Sequence, residues 1–192
     1  MAGAGAALYK IGGVFDDVSD TIRVGTGASG KSLADMEQIA KNIGTTVPSS
    51  FEDIGASVAD VNTRLGLTGD PLQKVTAQFL ELGNMGIDAD INEVSAALSG
   101  FGIKGAEIEG SMDKLFQVSQ ATGLSVTELS TSVVKAGPAL RNFGFGLGES
   151  AALVGQLDKS GMDADKTLAS MSRAMQAFAK EGKDGKQALF GT

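Results

Sequence analysis

Apolar residues recur along this chain at alternating spacings of three and four. Phe51, Ile54, Val58, Val61 and Leu65 form one set, and Leu72, Val75, Phe79 and Leu82 a second. Ile91, Val94, Leu98 and Phe101 form a third, and Leu168, Met171, Met175 and Phe178 a fourth. Each set lines one face of a helix that turns every ~3.6 residues. No comparable stretch alternates with period two, so the pattern predicts helices and no strands.

The helices carry regular punctuation. Gly66-Leu67, Gly86-Ile87, Gly102-Ile103, Gly123-Leu124, Gly144-Phe145 and Gly161-Met162 each place an apolar residue directly after a glycine. A Schellman helix ending asks for this: glycine takes the left-handed position past the helix, and the next residue packs back on the last turn, here against Val61, Leu82, Leu98, Val118, Leu140 or Leu157. Two residues after four of these glycines stands a good N-cap, Thr68, Asp88, Ser125 or Asp163, and Glu128 completes a capping box with Ser125. Lys104 and Gly146 fill the same slot poorly. The reading is an all-α array of short amphipathic helices joined by tight Gly-capped turns, with antiparallel neighbours. The marks at Gly66, Gly86, Gly102 and Gly123 are echoed at Gly123, Gly144, Gly161 and Gly182, about 57 to 59 residues on, with Ser111-Met112 echoed by Ser170-Met171 and Gln117 by Gln176. That offset suggests a three-helix unit used twice.

The first fifty residues are less regular. A helix is expected over Val14–Val24, then the loop Gly25–Gly30, a helix near Ser32–Ile43, a turn at Pro48, and a cap at Ser49 or Ser50. Gly137-Pro138 interrupts a long helical pattern, and a break or kink is expected there, because proline removes a donor and crowds the Val134 carbonyl. Gly155 is expected mid-helix on an exposed face.

Composition narrows the chemistry. The 192 residues contain no His and no Cys, which removes Ser–His and Cys–His nucleophiles, disulfides and the usual zinc sites. The net charge of −7 argues against a nucleic-acid backbone as partner, since that needs a clustered basic face. Aromatics are few, with nine Phe, one Tyr and no Trp, so the core rests on Leu, Ile, Val, Met and Ala. Lys10, Asp16 and Asp17 interrupt the apolar start well short of the roughly 20 residues a membrane-spanning helix needs, and that start lacks the charged opening of a signal peptide.

The sharpest enzymatic motif is Gly25-Thr-Gly-Ala-Ser-Gly30-Lys31-Ser32, a literal G-x-x-x-x-G-K-S. A true P-loop cradles phosphates with backbone N–H groups, after a buried strand and before a helix. Residues 16–24 are too polar for such a strand, so Lys31 reads as a solvated residue at a helix start. The carboxylate pairs Asp16/Asp17, Asp88/Asp90, Glu107/Glu109 and Asp163/Asp165 could in principle serve glycosidase chemistry. Three of them fall at or near helix starts, where acids complement the macrodipole. Met112, Met171 and Met175 lie on apolar stripes and read as core. No catalytic, cofactor-binding or metal-ligating residue is therefore expected, and no cofactor.

A set of segments in order, Thr21–Gly30 (TIRVGTGASG), Val47–Asp53 (VPSSFED), Val61–Gly69 (VNTRLGLTG), Gln78–Leu80 (QFL), Met112–Phe116 (MDKLF), Ser119–Gly123 (SQATG) and Gly137–Gly144 (GPALRNFG), resembles the core region of phage tail tape-measure proteins, over roughly Asp16 to Phe178. The resemblance implies a largely helical, non-enzymatic virion component made in the bacterial host cytoplasm. It occupies the tail tube lumen, sets tube length during assembly and leaves during genome ejection. It implies as partners the tail tube protein, tail assembly chaperones and distal tail proteins, and self-association through apolar helix faces. No specific nucleic acid is expected, and any membrane contact falls to parts of a longer parent protein. The division it implies is an N-terminal helical segment with a Gly-rich loop (1–48), a helical tape-measure core (49–182) and a tail or truncated continuation (183–192). Two rival functions are a helical adaptor of a bacterial secretion or toxin system and a P-loop nucleotide binder.

Overall fold

A computed structural model describes residues 16–142 and 144–182; of Asp165 and Met175 only the backbone is described. All regular structure among the described residues is helical. Helix α1 covers 16–26. It is followed by α2 (Gly30–Thr46), α3 (Phe51–Leu65), α4 (Gly69–Asn84), α5 (Ile91–Gly100), α6 (Glu107–Thr122), α7 (Val126–Asn142), α8 (Leu147–Lys159) and α9 (Ala164–Lys180). One compact unit ends at Ile87 and a second begins at Asp88.

The predicted stripes of α3, α4 and α5 are largely buried, whereas on the α9 stripe Leu168 is buried and Met171 and Phe178 are half-buried. Ile54, Val58 and Val61 of α3 are buried with Leu72, Val75, Phe79 and Leu82 of α4, and α2 adds Met36, Ile39 and Ile43. In the second unit α7 lies centrally, packed on α5, α6, α8 and α9. It buries Val126, Leu129, Val133 and Leu140, each worth about 1.5–3 kcal/mol against exposure. Among the methionines, Met112 is fully buried and Met171 half-buried.

Connections are antiparallel, but much of the packing skips one helix and is parallel. Val18 of α1 meets Gly55 of α3, and further along Gly25 meets Ala59, while Thr63 donates to the Gly25 carbonyl (3.1 Å). Between α5 and α7, the Asp90 N–H donates to the Thr127 hydroxyl (2.8 Å), the Thr131 hydroxyl donates to Glu93 (3.1 Å), and Phe101 packs on Gly137. Between α6 and α8, Lys114 faces Gly148, Thr122 faces Gly155, and Lys159 donates to the Ala121 carbonyl (2.8 Å). A short turn reverses the chain, so every second helix regains the same direction and can lie beside its predecessor but one.

Three expectations are corrected. Helix α7 runs unbroken through Pro138. The proline and Val134 both face solvent, so water can satisfy the carbonyl that loses its partner while packing on four helices holds the rest. Gly155 is buried, not exposed: α8 lies so close to α6 that a Cβ there would sit 2.6 Å from Thr122 Cγ2. Helix α5 is capped by Asp90 rather than Asp88. The Asp90 carboxylate accepts the N–H groups of Asn92 and Glu93 (2.8 and 3.1 Å), while the Asp88 carbonyl accepts from Thr127 (3.2 Å) and runs along the start of α7.

Candidate functional site

The glycine-rich segment offers no phosphate cradle of the P-loop kind. Helix α1 runs directly into it, where a P-loop needs a strand, and only residues 27–29 separate α1 from α2. Gly27 and Gly30 adopt positive φ (71° and 56°) to turn the chain between two helices. The Lys31 side chain is 87% exposed and donates to both carboxylate oxygens of Asp35 one turn on (2.7 and 3.0 Å).

The carboxylates cap helices. Asp90 caps α5, Asp163 caps α9 by accepting the Lys166 N–H (3.0 Å), and Glu107 and Glu109 lie in the first turn of α6. Asp16 and Asp17 are exposed on α1. Among the described residues no three His, Cys, Asp or Glu side chains are grouped to hold a metal ion. No helix among them is long and apolar enough to cross a membrane.

Polar chemistry is concentrated at the turns. At Ser125 the hydroxyl accepts the Glu128 N–H (3.1 Å), and the Glu128 carboxylate accepts the Ser125 N–H and hydroxyl (2.8 and 2.9 Å). Those two donors, the backbone one foremost, hold the Glu128 pKa below the usual glutamate value. At α9 the Asp163 hydrogen bond and then its charge raise the Lys166 pKa. Ser50 caps α3 by accepting the Asp53 N–H (3.1 Å). Thr68 stands at its cap position without a side-chain bond, and at Gly146 the Glu149 carboxylate accepts the glycine N–H (2.9 Å).

The six predicted helix endings all carry a left-handed glycine, but of two kinds. At Gly86, Gly102, Gly144 and Gly161 the full Schellman pair forms: the following N–H donates to the carbonyls of Leu82, Leu98, Leu140 and Leu157 (2.9–3.0 Å), and the glycine N–H to a second carbonyl (2.8–3.0 Å). Gly66 and Gly123 differ from the Schellman expectation. Their N–H groups donate to Asn62 and Ser119 (both 2.8 Å), whose side chains donate in turn to the carbonyls of Leu67 and Leu124 (2.8 and 2.6 Å). The cap types follow the suggested repeat: Gly66 matches Gly123, Gly86 matches Gly144, and Gly102 matches Gly161. Ser111 and Ser170 also match, each donating to the carbonyl four residues back (2.8 and 2.9 Å). Gly182 breaks the series, since its N–H donates to Ala179 (3.1 Å), the shorter Schellman bond.

Fold and geometry together define a helical protein whose polar groups serve turns and helix crossings. The family model described as phage-related minor tail protein matches residues 37–191, and the chain belongs to that family. No curated protein and no solved structure matches it. Membership gives the chain a structural role in the phage tail, a virion-associated location and contact with other tail components.

Proposed function

We propose that this chain is part of a tail tape measure, which sets tube length during assembly and is released during genome ejection. On this reading residues 49–182 form its helical core and lie in the tube lumen. The tail tube protein polymerises around it, tail assembly chaperones and distal tail proteins are its other partners, and copies associate through apolar helix faces. Its role is not enzymatic. The observation that supports this most is the succession of helices through the described residues of the family match, joined by turns of a few residues. Helix adds length in fixed steps of about 1.5 Å per residue, so residue count converts into distance.

The test is an in-frame deletion of Ile103–Gly161 in a phage that carries the protein, with tails measured by electron microscopy. The excision joins Gly102 to Met162, so the junction keeps a Schellman glycine followed by an apolar residue. If the segment is stretched as continuous helix, the 59 deleted residues shorten the tail by roughly 90 Å. If it remains folded, the shortening is much smaller than for an equal deletion elsewhere in the same protein. Tails of unchanged length after both deletions refute the ruler.

A further inference from the structure

We propose that the outer face of α1 in one copy docks into the trough between α7 and α9 of a second copy. The trough has a volume of about 510 Å³. Its floor is small and apolar, from Ala136, Ala139 and Leu168, and Lys135 and Arg173 stand on it from either helix. Neither cation forms an ion pair with a described residue; Arg173 reaches only the Ala169 carbonyl of its own helix (3.3 Å). Lys166, itself paired with Asp163 (3.0 Å), and Lys180 continue the Arg173 stripe at seven-residue spacing along α9. Nearby, Met171 and Phe178 are half-buried, while the stripes of α3 and α7 are mostly buried.

The complementary surface is on α1. Val18 and Ile22 bury one face of that helix. Asp16, Asp17 and Asp20 lie on the other, with Val24 one turn beyond Asp20 and Arg23 paired to the Asp20 carboxylate (2.7 Å), which leaves that face net negative. Val24 is 81% exposed, the highest value among the exposed large apolar side chains of the described residues. An apolar knob on a net-negative face, three aspartates against the one Arg23, matches an apolar trough between cations. The surfaces differ, so the contact is heterologous and propagates from copy to copy unless it closes into a ring. Charge steers the encounter and is screened by salt, while the apolar contact supplies affinity.

The contact extends the self-association in the proposed function, yet the two fail separately: a chain that stays monomeric removes this contact and leaves the tail-length experiment standing. Sedimentation equilibrium on the full chain, over roughly 1–200 µM, should show mass rising above the 19.5 kDa monomer. Association should weaken at least about tenfold between ~50 and ~500 mM salt. Lys135→Glu/Arg173→Glu should abolish it, and so should Asp17→Lys/Asp20→Lys, each with unchanged helical content. Mixing the two variants should restore association, because one keeps its α1 face and the other its trough, and the two reversed surfaces also carry opposite charge. A monomer at every concentration, association surviving in either variant alone, or failure of the mixture to pair would overturn the proposal.

Discussion

The crossing of α6 and α8 sets up a test in which one methyl group decides a sign. Gly155 is mid-helix, and alanine there should gain about 1 kcal/mol from helix propensity alone. The new Cβ, however, would lie 2.6 Å from Thr122 Cγ2 and 3.2 Å from Thr122 Cβ and Oγ1. Thr122 cannot swing away freely, because its hydroxyl donates to the Val118 carbonyl (2.7 Å). Overpacking of this kind costs about 1–3 kcal/mol. Gly155→Ala should therefore destabilise the second unit by ~1 kcal/mol net, a fall of roughly 4–8 °C for a unit near 100 residues. Thr122→Ser removes the offending methyl group and keeps the hydroxyl. In that background Gly155→Ala should turn neutral or stabilising, giving a coupling of roughly 1–2 kcal/mol in the double-mutant cycle. Urea unfolding of all four proteins, followed by circular dichroism and fitted for two units, measures it. A Gly155→Ala protein stabilised by the full propensity gain, with no coupling to Thr122, would refute the close approach of α6 and α8.

Three further outcomes test the turns and the core. Gly123→Val should cost about 1–2 kcal/mol or more in the same unfolding assay, because φ is +86° and a β-branched residue is strained there. Ser150→Ala should leave stability unchanged or raise it by up to about 1 kcal/mol, since the hydroxyl is fully buried with no hydrogen-bond partner among the described residues; a clear loss would reveal a partner. Glu128 titrates below its ordinary value, so the unfolded chain takes up its proton first as pH falls. Its contribution is complete above the ordinary glutamate range and fades as pH drops through the lowered value. The stability gap between wild type and Glu128→Ala, followed by thermal melts, should be widest near neutrality and close in acid; a gap independent of pH would show that the Ser125 box contributes through something other than the carboxylate charge.

What could be read from the sequence was local. Ser50, Ser125 and Asp163 cap the helices they were expected to cap, and all six glycine marks end helices, because each decision involves residues within one turn of each other. Even the two cap types had a legible signal. The residue four before the glycine is leucine at Gly86, Gly102, Gly144 and Gly161, and is Asn62 or Ser119 where a side chain closes the turn. The polarity of residues 16–24 was likewise enough to separate the Gly25–Ser32 motif from a strand-led P-loop.

The misses at Asp88, Pro138 and Gly155 all involve partners on other helices. Asp88 lost its cap to Asp90 because Thr127 of α7 holds that strip of backbone. Pro138 failed to break α7 because the surrounding helices fix its course. Glycine shows the limit most directly. Gly83, Gly110, Gly137 and Gly155 all lie inside helices and look alike in the sequence. A Cβ on Gly83 or Gly110 would meet open space, whereas one on Gly137 would approach Phe101 to 3.3 Å and Arg141 Nη1 to 2.7 Å, where that guanidinium lies 5.1 Å from the Phe101 ring centre. The same residue therefore weakens a helix in two places and admits a neighbour in two others. Helical periodicity fixes which face of a helix turns inward, and only the partner it packs on determines how near it comes.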